Sequence, residues 1–142
     1  MIVPVLKEIV ETYLKFEGKP IPFGNGRKPM ANLMDAGGPF VWAYPIMESD
    51  NITAGGQVGT SYDCIIGFNI PGEEQPGIDI EQSYIDQARA LCLIFEQKLT
   101  KHDAVKEIKN IKREPFYRFL AENLYGMNIR LTIVSRYPYG KC

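Results

Sequence analysis

The chain has 142 residues, which is the size of one folded domain. Its hydrophobic content of 45% can supply one core, and its net charge of −1 gives no overall attraction to nucleic acid or to an anionic membrane. No apolar run approaches the roughly 20 residues of a membrane-spanning helix, and the first residues do not resemble a signal peptide. We therefore expect a single domain over residues 1–142 without membrane contact.

The N-terminal part is predicted to hold one helix and one irregular segment. Apolar residues at helical spacing predict an amphipathic helix over residues 3–17, with Pro4 in its first turn and Gly18 at its end. Residues 18–39 are rich in Pro and Gly and follow neither structural period. Two interpretations stay open for this long arm. It is either a loop strapped over the core through Ile21, Phe23 and Met30, or an arm that docks on another subunit.

Two strands are predicted next, and they flank a segment rich in polar residues and Gly. Phe40, Trp42 and Tyr44 alternate with smaller residues in a strand that ends at Pro45. From Thr60 onward the chain alternates with period two, which predicts a half-buried strand. We expect the two strands to form a hairpin with a long tip.

A long helix is predicted over residues 80–99. Asp79 is the predicted N-cap, and Gln82 is predicted to reach back to it in a capping box. One strip of this helix is expected to cover a sheet. The strip and the sheet face that it covers are predicted to consist of these residues: Ile85, Ala88, Cys92 and Phe95 on the helix, and Tyr62, Ile66, Phe68, Ile129, Leu131 and Ile133 on the sheet.

The C-terminal part is predicted to add two more strands. The pattern over residues 105–114 suits a helix or a twisted strand, and its β-branched residues favour a strand. Residues 127–133 alternate clearly, and a long connection should join the two as a hairpin. The predicted fold is α+β: an antiparallel sheet of about four strands, one long helix packed on a face, and an N-terminal helix. The α+β core is assigned to residues 40–142.

Candidates for chemistry are few. His102 is the only histidine, and its place at the end of a predicted helix indicates an interaction with the helix dipole. The three cysteines have no paired spacing, so we expect no zinc site, no other metal or cofactor, and a reducing compartment. "GNGRKP" at residues 24–29 lacks the strand and helix that a phosphate-binding loop needs, and is interpreted as a turn. An enzyme would have to assemble its site from Asp63, His102 and Arg130.

Two further clusters have ordinary explanations. The acidic residues of positions 73–86 are expected on a solvated face rather than in a catalytic pocket. The aromatic and basic residues of positions 113–119 could stack on single-stranded nucleic acid, but a hydrophobic hairpin connection explains them as well. The sequence is therefore expected not to encode an enzyme.

The charges of the chain are distributed unevenly. Residues 72–86 carry five acids and no Lys or Arg, whereas residues 101–113 carry five Lys or Arg against two acids. Two separate patches of opposite sign suit a head-to-tail contact between copies, and such contacts can close into rings. The predicted interface residues are Glu73, Glu74, Lys109, Lys112 and Arg113.

The order of several segments resembles a known family. It runs from "FVWAYPI" through "SYDCIIGFNI" and "IEQSYIDQARALCLIFEQKL" to "REPFYRFLAENLYGMNIRLTIV". This order is similar to small tail-completion or tail-terminator-like proteins, minor tail or neck proteins of phages and prophages of Bacteroidetes hosts. Asn123, Leu124, Tyr125 and Gly126 match the family's Asn-Leu-x-Gly connection into a final alternating strand. The resemblance covers about residues 38–135, and the first helix and the arm match less well.

The resemblance implies a function without an active site. Proteins of this family are α+β structural virion proteins that form rings, typically hexamers, at the neck end of the tail. They cap the tail tube or join it to the capsid, contact tail tube or connector proteins, and let DNA pass through the lumen without sequence-specific binding. The implied location is the virion tail or neck, after assembly in the cytoplasm of the host bacterium. The alternative is a cytosolic adaptor that binds a peptide on the same sheet and has no enzymatic activity.

Overall fold

The computed structural model describes residues 2–27, 38–52, 58–119 and 123–135. These residues form two helices, α1 (Val3–Tyr13) and α2 (Ile78–Thr100). Their strands are β1 (Lys15–Phe16), β2 (Lys19–Pro20), β3 (Phe23–Asn25), β4 (Phe40–Ala43), β5 (Met47–Ile52), β6 (Val58–Pro71), β7 (Val105–Phe119) and β8 (Leu124–Ser135). The α+β class is therefore as predicted.

The main sheet has six strands, and the prediction of about four was too low. Its order is β3-β4-β6-β8-β7, and β5 pairs with β6 beside β4. All neighbours are antiparallel except β3, which runs parallel to β4. The two extra strands come from segments that contain Gly, Asn and Asp, whose low strand propensity hid them from sequence patterns.

The first predicted hairpin is present, but its polar segment continues the sheet. Ala43 pairs with Ile66 and Met47 pairs with Asp63. The three residues 44–46 between the first members of these pairs therefore face the two residues 64–65 of β6. This bulge contains Pro45, and the first strand ends at Ala43, two residues before its predicted end. Pairing then continues along β5 to Ile52, and residues 53–57 at the tip lie outside the described residues.

Helix α1 ends at Tyr13, four residues before the predicted end. Leu14 is extended, and a short hairpin of β1 and β2 follows. Its two central residues, Glu17 and Gly18, have φ values of 52° and 79°. Positive φ at both positions is the geometry of a tight hairpin turn, so Gly18 serves a turn rather than the end of a helix.

The start of the predicted arm lies on the chain's own core. Ile21 is only 1% exposed, and its N–H donates to the Leu14 carbonyl at 3.1 Å. Phe23 packs against the same core from β3. Residues 18–27 thus follow the strapped-loop interpretation, and they are not the structureless coil that their Pro and Gly content predicted. Met30 lies outside the described residues.

Helix α2 covers one face of the sheet as predicted. The predicted strip of the helix and the predicted sheet residues are all buried in one hydrophobic cluster. Phe95 and Phe68 meet edge to face, with ring centroids 5.5 Å apart. Helix α1 adds Leu6, Ile9 and Val10 to the same cluster. The predicted packing of α2 on the sheet is confirmed.

The sheet has a second surface, called here the outer face, which is turned away from the two helices. Alternation along the strands puts Phe40, Trp42 and Leu124 on it, where they form a small second cluster. The Trp42 indole Nε1 donates to the Gly26 carbonyl at 3.0 Å. Both faces of the sheet therefore bury large side chains at the β4 end.

The ambiguous segment at residues 105–114 is a strand, as its β-branched residues indicated. Among the strands that the structure describes, β7 is an edge of the sheet and pairs only with β8. Its register shifts three times, and Pro115 lies within it. Bulges and proline are devices that keep an exposed edge from pairing with other chains.

Candidate functional site

The acidic loop after β6 is held in place by two tyrosines. The Tyr125 hydroxyl donates to the Glu73 carbonyl at 2.7 Å, and the Glu73 N–H donates to the Tyr84 hydroxyl at 3.1 Å. The two rings lie 5.0 Å apart. Gly72 lies against them so closely that a Cβ there would come within 2.4 Å of Tyr84. The backbone of the loop is therefore fixed from the core, while the Glu73 and Glu74 side chains are exposed.

Helix α2 begins directly after this loop and two residues earlier than predicted. Gly77 is the N-cap, and no side chain caps the helix. Asp79 lies inside the first turn, where its charge complements the helix dipole, so the predicted capping box is wrong. Gln82 instead donates its amide to Asp86 at 2.9 Å. The earlier start leaves Ile78, the first helical residue, 87% exposed.

The basic strand β7 presents its cations to different sides of the sheet. Lys109 pairs with Thr132 and Lys112 with Arg130, which puts both lysines on the outer face. Both are exposed, and no ion pair within the described ranges involves either. A bulge between them holds Asn110 at a φ of 60°.

Arg113 turns the other way, toward α2. Its guanidinium makes two hydrogen bonds to the Glu96 carboxylate, one of them 2.8 Å from Nε to Oε2. This hydrogen bonding raises the pKa of Arg113. A bidentate pair of this kind commits the guanidinium to its own chain. Arg113 is therefore the one predicted interface residue whose charged group is already paired. The other four, Glu73, Glu74, Lys109 and Lys112, are exposed and make no ion pair within the described residues.

A shallow depression of about 380 Å³ lies on the outer face across β5, β6, β8 and β7. It is lined by Pro45, Met47, Asp63, Cys64, Ile65, Asn110, Lys112, Arg130, Leu131 and Thr132. Lys112 and Arg130 stand directly opposite each other across the two strands. Like charges in such positions repel, and Glu114 offsets this weakly with its Oε1 3.6 Å from Arg130 Nε. The depression thus has a cationic end on β7 and β8.

The three candidates for an enzyme site do not come together. Asp63 and Arg130 line the outer-face depression, and the Asp63 carboxylate accepts a hydrogen bond from Thr132 at 2.7 Å. His102 lies after α2 in a separate depression, with Nε2 3.4 Å from a Glu8 oxygen and Nδ1 accepting the Ala104 N–H at 3.1 Å. The imidazole therefore joins the end of α2 to α1 and to the turn before β7.

The other sequence candidates take structural places. In "GNGRKP", Gly24 and Asn25 belong to β3, and residues 28–29 lie outside the described residues. Phe116 packs on the outer-face cluster of Phe40, Trp42 and Leu124, which matches the hydrophobic interpretation, while Tyr117 is exposed. Within residues 2–27, 38–52, 58–119 and 123–135, no group of three or more His, Cys, Asp or Glu could hold a metal ion.

Several features of these surfaces had no clear sequence signal. Ile78 lay outside the predicted helix and Met47 lay in the predicted tip of a hairpin, so neither stood out as an exposed apolar residue. The contact of Tyr84 and Tyr125 with the acidic loop was not predicted, because the two tyrosines lie 41 positions apart in the chain. Their hydroxyl groups and Gly72 in the loop are the sequence features that could have indicated it. Arg130 was considered only as part of an enzyme site.

No helix in the described part of the chain is both long and apolar enough to cross a membrane. Neither a protein-family model nor a curated protein matches the sequence.

Proposed function

We propose that this chain is a structural virion protein of a tailed phage or prophage, a tail-terminator, tail-completion or neck subunit that assembles into a ring. The resemblance over residues 38–135 suggests the family, and a hexamer is the ring size that it implies. The ring caps the tail or joins it to the capsid, and DNA passes through its lumen.

One observation carries the proposal: the chain exposes two patches of opposite charge that do not meet each other. Glu73 and Glu74 follow the C-terminal end of β6. Lys109 and Lys112 lie on β7, in register through β8 with the middle of β6. Six residue steps separate Ile65, which lies in register with Arg130 and Lys112, from Pro71, a distance of roughly 20 Å along the strand. Two such patches support a head-to-tail contact, which closes into a ring when the rotation between neighbours allows it.

The mass of the assembled protein tests the proposal. Native mass spectrometry and light scattering are expected to give an assembly several times the subunit mass of 16.1 kDa, and six times for a hexamer. Negative-stain electron microscopy should show particles with a central hole. A protein that stays monomeric, or stops at a two-fold dimer at every concentration, contradicts the proposal. A monomer that binds extended peptides would favour the adaptor alternative.

A further inference from the structure

The held loop after β6 and the start of α2 form a protrusion of defined chemistry, called here the acidic knob: Glu73, Glu74 and Ile78. The loop backbone is fixed by Tyr84 and Tyr125, so these side chains are presented at little further ordering cost. Ile78, the first residue of α2, is 87% exposed and follows Glu74 by four positions in the chain. A single exposed Ile is unremarkable, but one in the first turn of a helix that follows a held loop is suited to contact an apolar surface of a partner.

The outer-face depression has the complementary chemistry. Its β5 and β6 side presents the apolar residues Pro45, Met47, which is 71% exposed, and Ile65, together with the Asp63 carboxylate opposite Met47. Its β7 and β8 side carries Lys112 and Arg130. The depression therefore offers an apolar end for an aliphatic side chain and a cationic end for carboxylates.

The sizes of the two surfaces agree. Met47 and Lys112 are three strand spacings apart and offset by two residues along the strands, which is roughly 16 Å in all. Glu73 and Ile78 are five residues apart, so at most about 17 Å separates them. This upper limit is comparable to the span of the depression, so Glu73 at the cationic end leaves Ile78 directed toward Met47.

We propose that the acidic knob of one copy of this chain docks in the outer-face depression of the next copy. The inference rests on the proposed ring and names the surfaces that join its subunits. A second copy is the occupant because each copy presents both the knob and a depression of opposite charge at a different place. Such a contact is heterologous, and it repeats around a ring.

The cations of the proposed contact differ from those predicted from the sequence. Arg130 takes the place of Arg113, whose guanidinium is occupied by Glu96. Asp63 also lines the depression, but its carboxylate accepts the Thr132 hydroxyl, and Lys112 stays free to receive a carboxylate. The contact of Ile78 with Met47 supplies apolar burial, and the charges set orientation.

Cross-linking between different chains tests the contact directly. Every chain carries Cys142→Ser, which leaves the buried Cys64 and Cys92. One preparation carries Ile78→Cys, another carries Met47→Cys, and a short bismaleimide links thiols after mixing. A covalent dimer is expected from the mixture and from neither preparation alone. Leu93→Cys, on the exposed side of α2, replaces Ile78→Cys in the control mixture and should give no dimer.

Assembly of a polar variant provides a second measurement. Ile78→Ser should weaken assembly at least tenfold in the concentration needed, whereas Leu93→Ser, at another exposed aliphatic position of α2, should assemble like the parent. The proposal is wrong if rings form but the mixture gives no covalent dimer, or if Ile78→Ser and Leu93→Ser behave alike. That result leaves the proposed function standing on other contacts. A parent protein that never assembles overturns both proposals.

Discussion

The four residues that carry the family resemblance each have a structural role in this chain. Asn123 has a φ of 54° at the turn into β8, and Leu124 is buried in the outer-face cluster. Tyr125 fixes the acidic loop through its hydroxyl. Gly126 lies where a Cβ would come within 1.9 Å of the Phe68 carbonyl oxygen. The signature therefore specifies a hairpin and a loop position, and no reaction is needed to explain it.

Gly126→Ala is predicted to destabilise the fold by about 3 kcal/mol or more, because backbone must move to admit the new methyl group. Urea unfolding measures the free energy. Gly59→Ala in β6 is the matched control, since a Cβ there meets nothing within 4 Å, and its effect should stay within about 0.5 kcal/mol. A loss below about 1 kcal/mol at Gly126 would show that β6 and β8 approach less closely than described.

Cys64 gives the stability of the fold a dependence on alkaline pH. Burial, with a contribution from the Asp63 carboxylate, raises the pKa of this thiol from 9.0 to about 12. Above pH 9 the unfolded chain loses the proton while the folded chain keeps it. The stabilisation linked to this thiol is therefore complete below pH 9 and is lost as the pH rises toward 12.

Unfolding of the parent and of Cys64→Ala at about pH 8 and about pH 10.5 measures this effect. The parent should lose about 1–2 kcal/mol more than the variant between the two conditions, since the other titrating groups are common to both. Equal losses would mean that the thiol is not shielded from water in the folded state.

At the scale of elements, the packing of α2 on the sheet is the main apolar contact. Phe95→Ala should cost about 3–5 kcal/mol, because the ring is fully buried against Phe68 and its removal leaves a cavity. Leu93→Ala, on the exposed side of the same helix, should cost less than about 1 kcal/mol. Thermal or urea unfolding compares the two. A small effect of Phe95→Ala is incompatible with the described core.

The elements that the sequence predicted well are those with a sustained hydrophobic period. Helix α2, strands β6 and β8, and the strip of α2 that meets them followed from periodicity alone, whereas the pairing of β6 with β8 was not predicted. Strands β3 and β5 escaped prediction because they are short or polar and owe their structure to pairing with β4 and β6.

The exposure of the proposed interface residues followed in part from the charge pattern. Charge patterns placed Glu73, Glu74, Lys109 and Lys112 on the surface, where the structure has them. The same pattern could not tell Arg113 from its neighbours. A bulge between Lys109 and Lys112 changes the strand alternation, and Arg113 consequently faces Glu96.

For the whole molecule, the arrangement of charges favours the proposed head-to-tail contact over a two-fold contact through β7. A two-fold contact through β7 would bring Lys109 and Lys112 of two copies together, and like charges on facing strands are unfavourable. A head-to-tail contact brings these lysines near the carboxylates of Glu73 and Glu74 instead. Exposed ion pairs contribute only about 0–1 kcal/mol each, so their main effect is on orientation and the choice of partner.

Reversing Lys109 and Lys112 to Glu is predicted to weaken assembly while the unfolding free energy stays within about 1 kcal/mol of the parent, since both side chains are exposed. The loss should be largest at low ionic strength, where charge interactions are least screened. Adding Glu73→Lys and Glu74→Lys to the same chain should restore assembly in part. Reversal of Lys7 and Lys15, two exposed cations near the N-terminus, makes the same change in net charge and should leave assembly intact. Native mass spectrometry of the four proteins separates the outcomes. Equal weakening of the two reversed chains would show that net charge, rather than the β7 lysines, governs association. Assembly of the Lys109 and Lys112 reversal at the level of the parent would contradict the charge pairing.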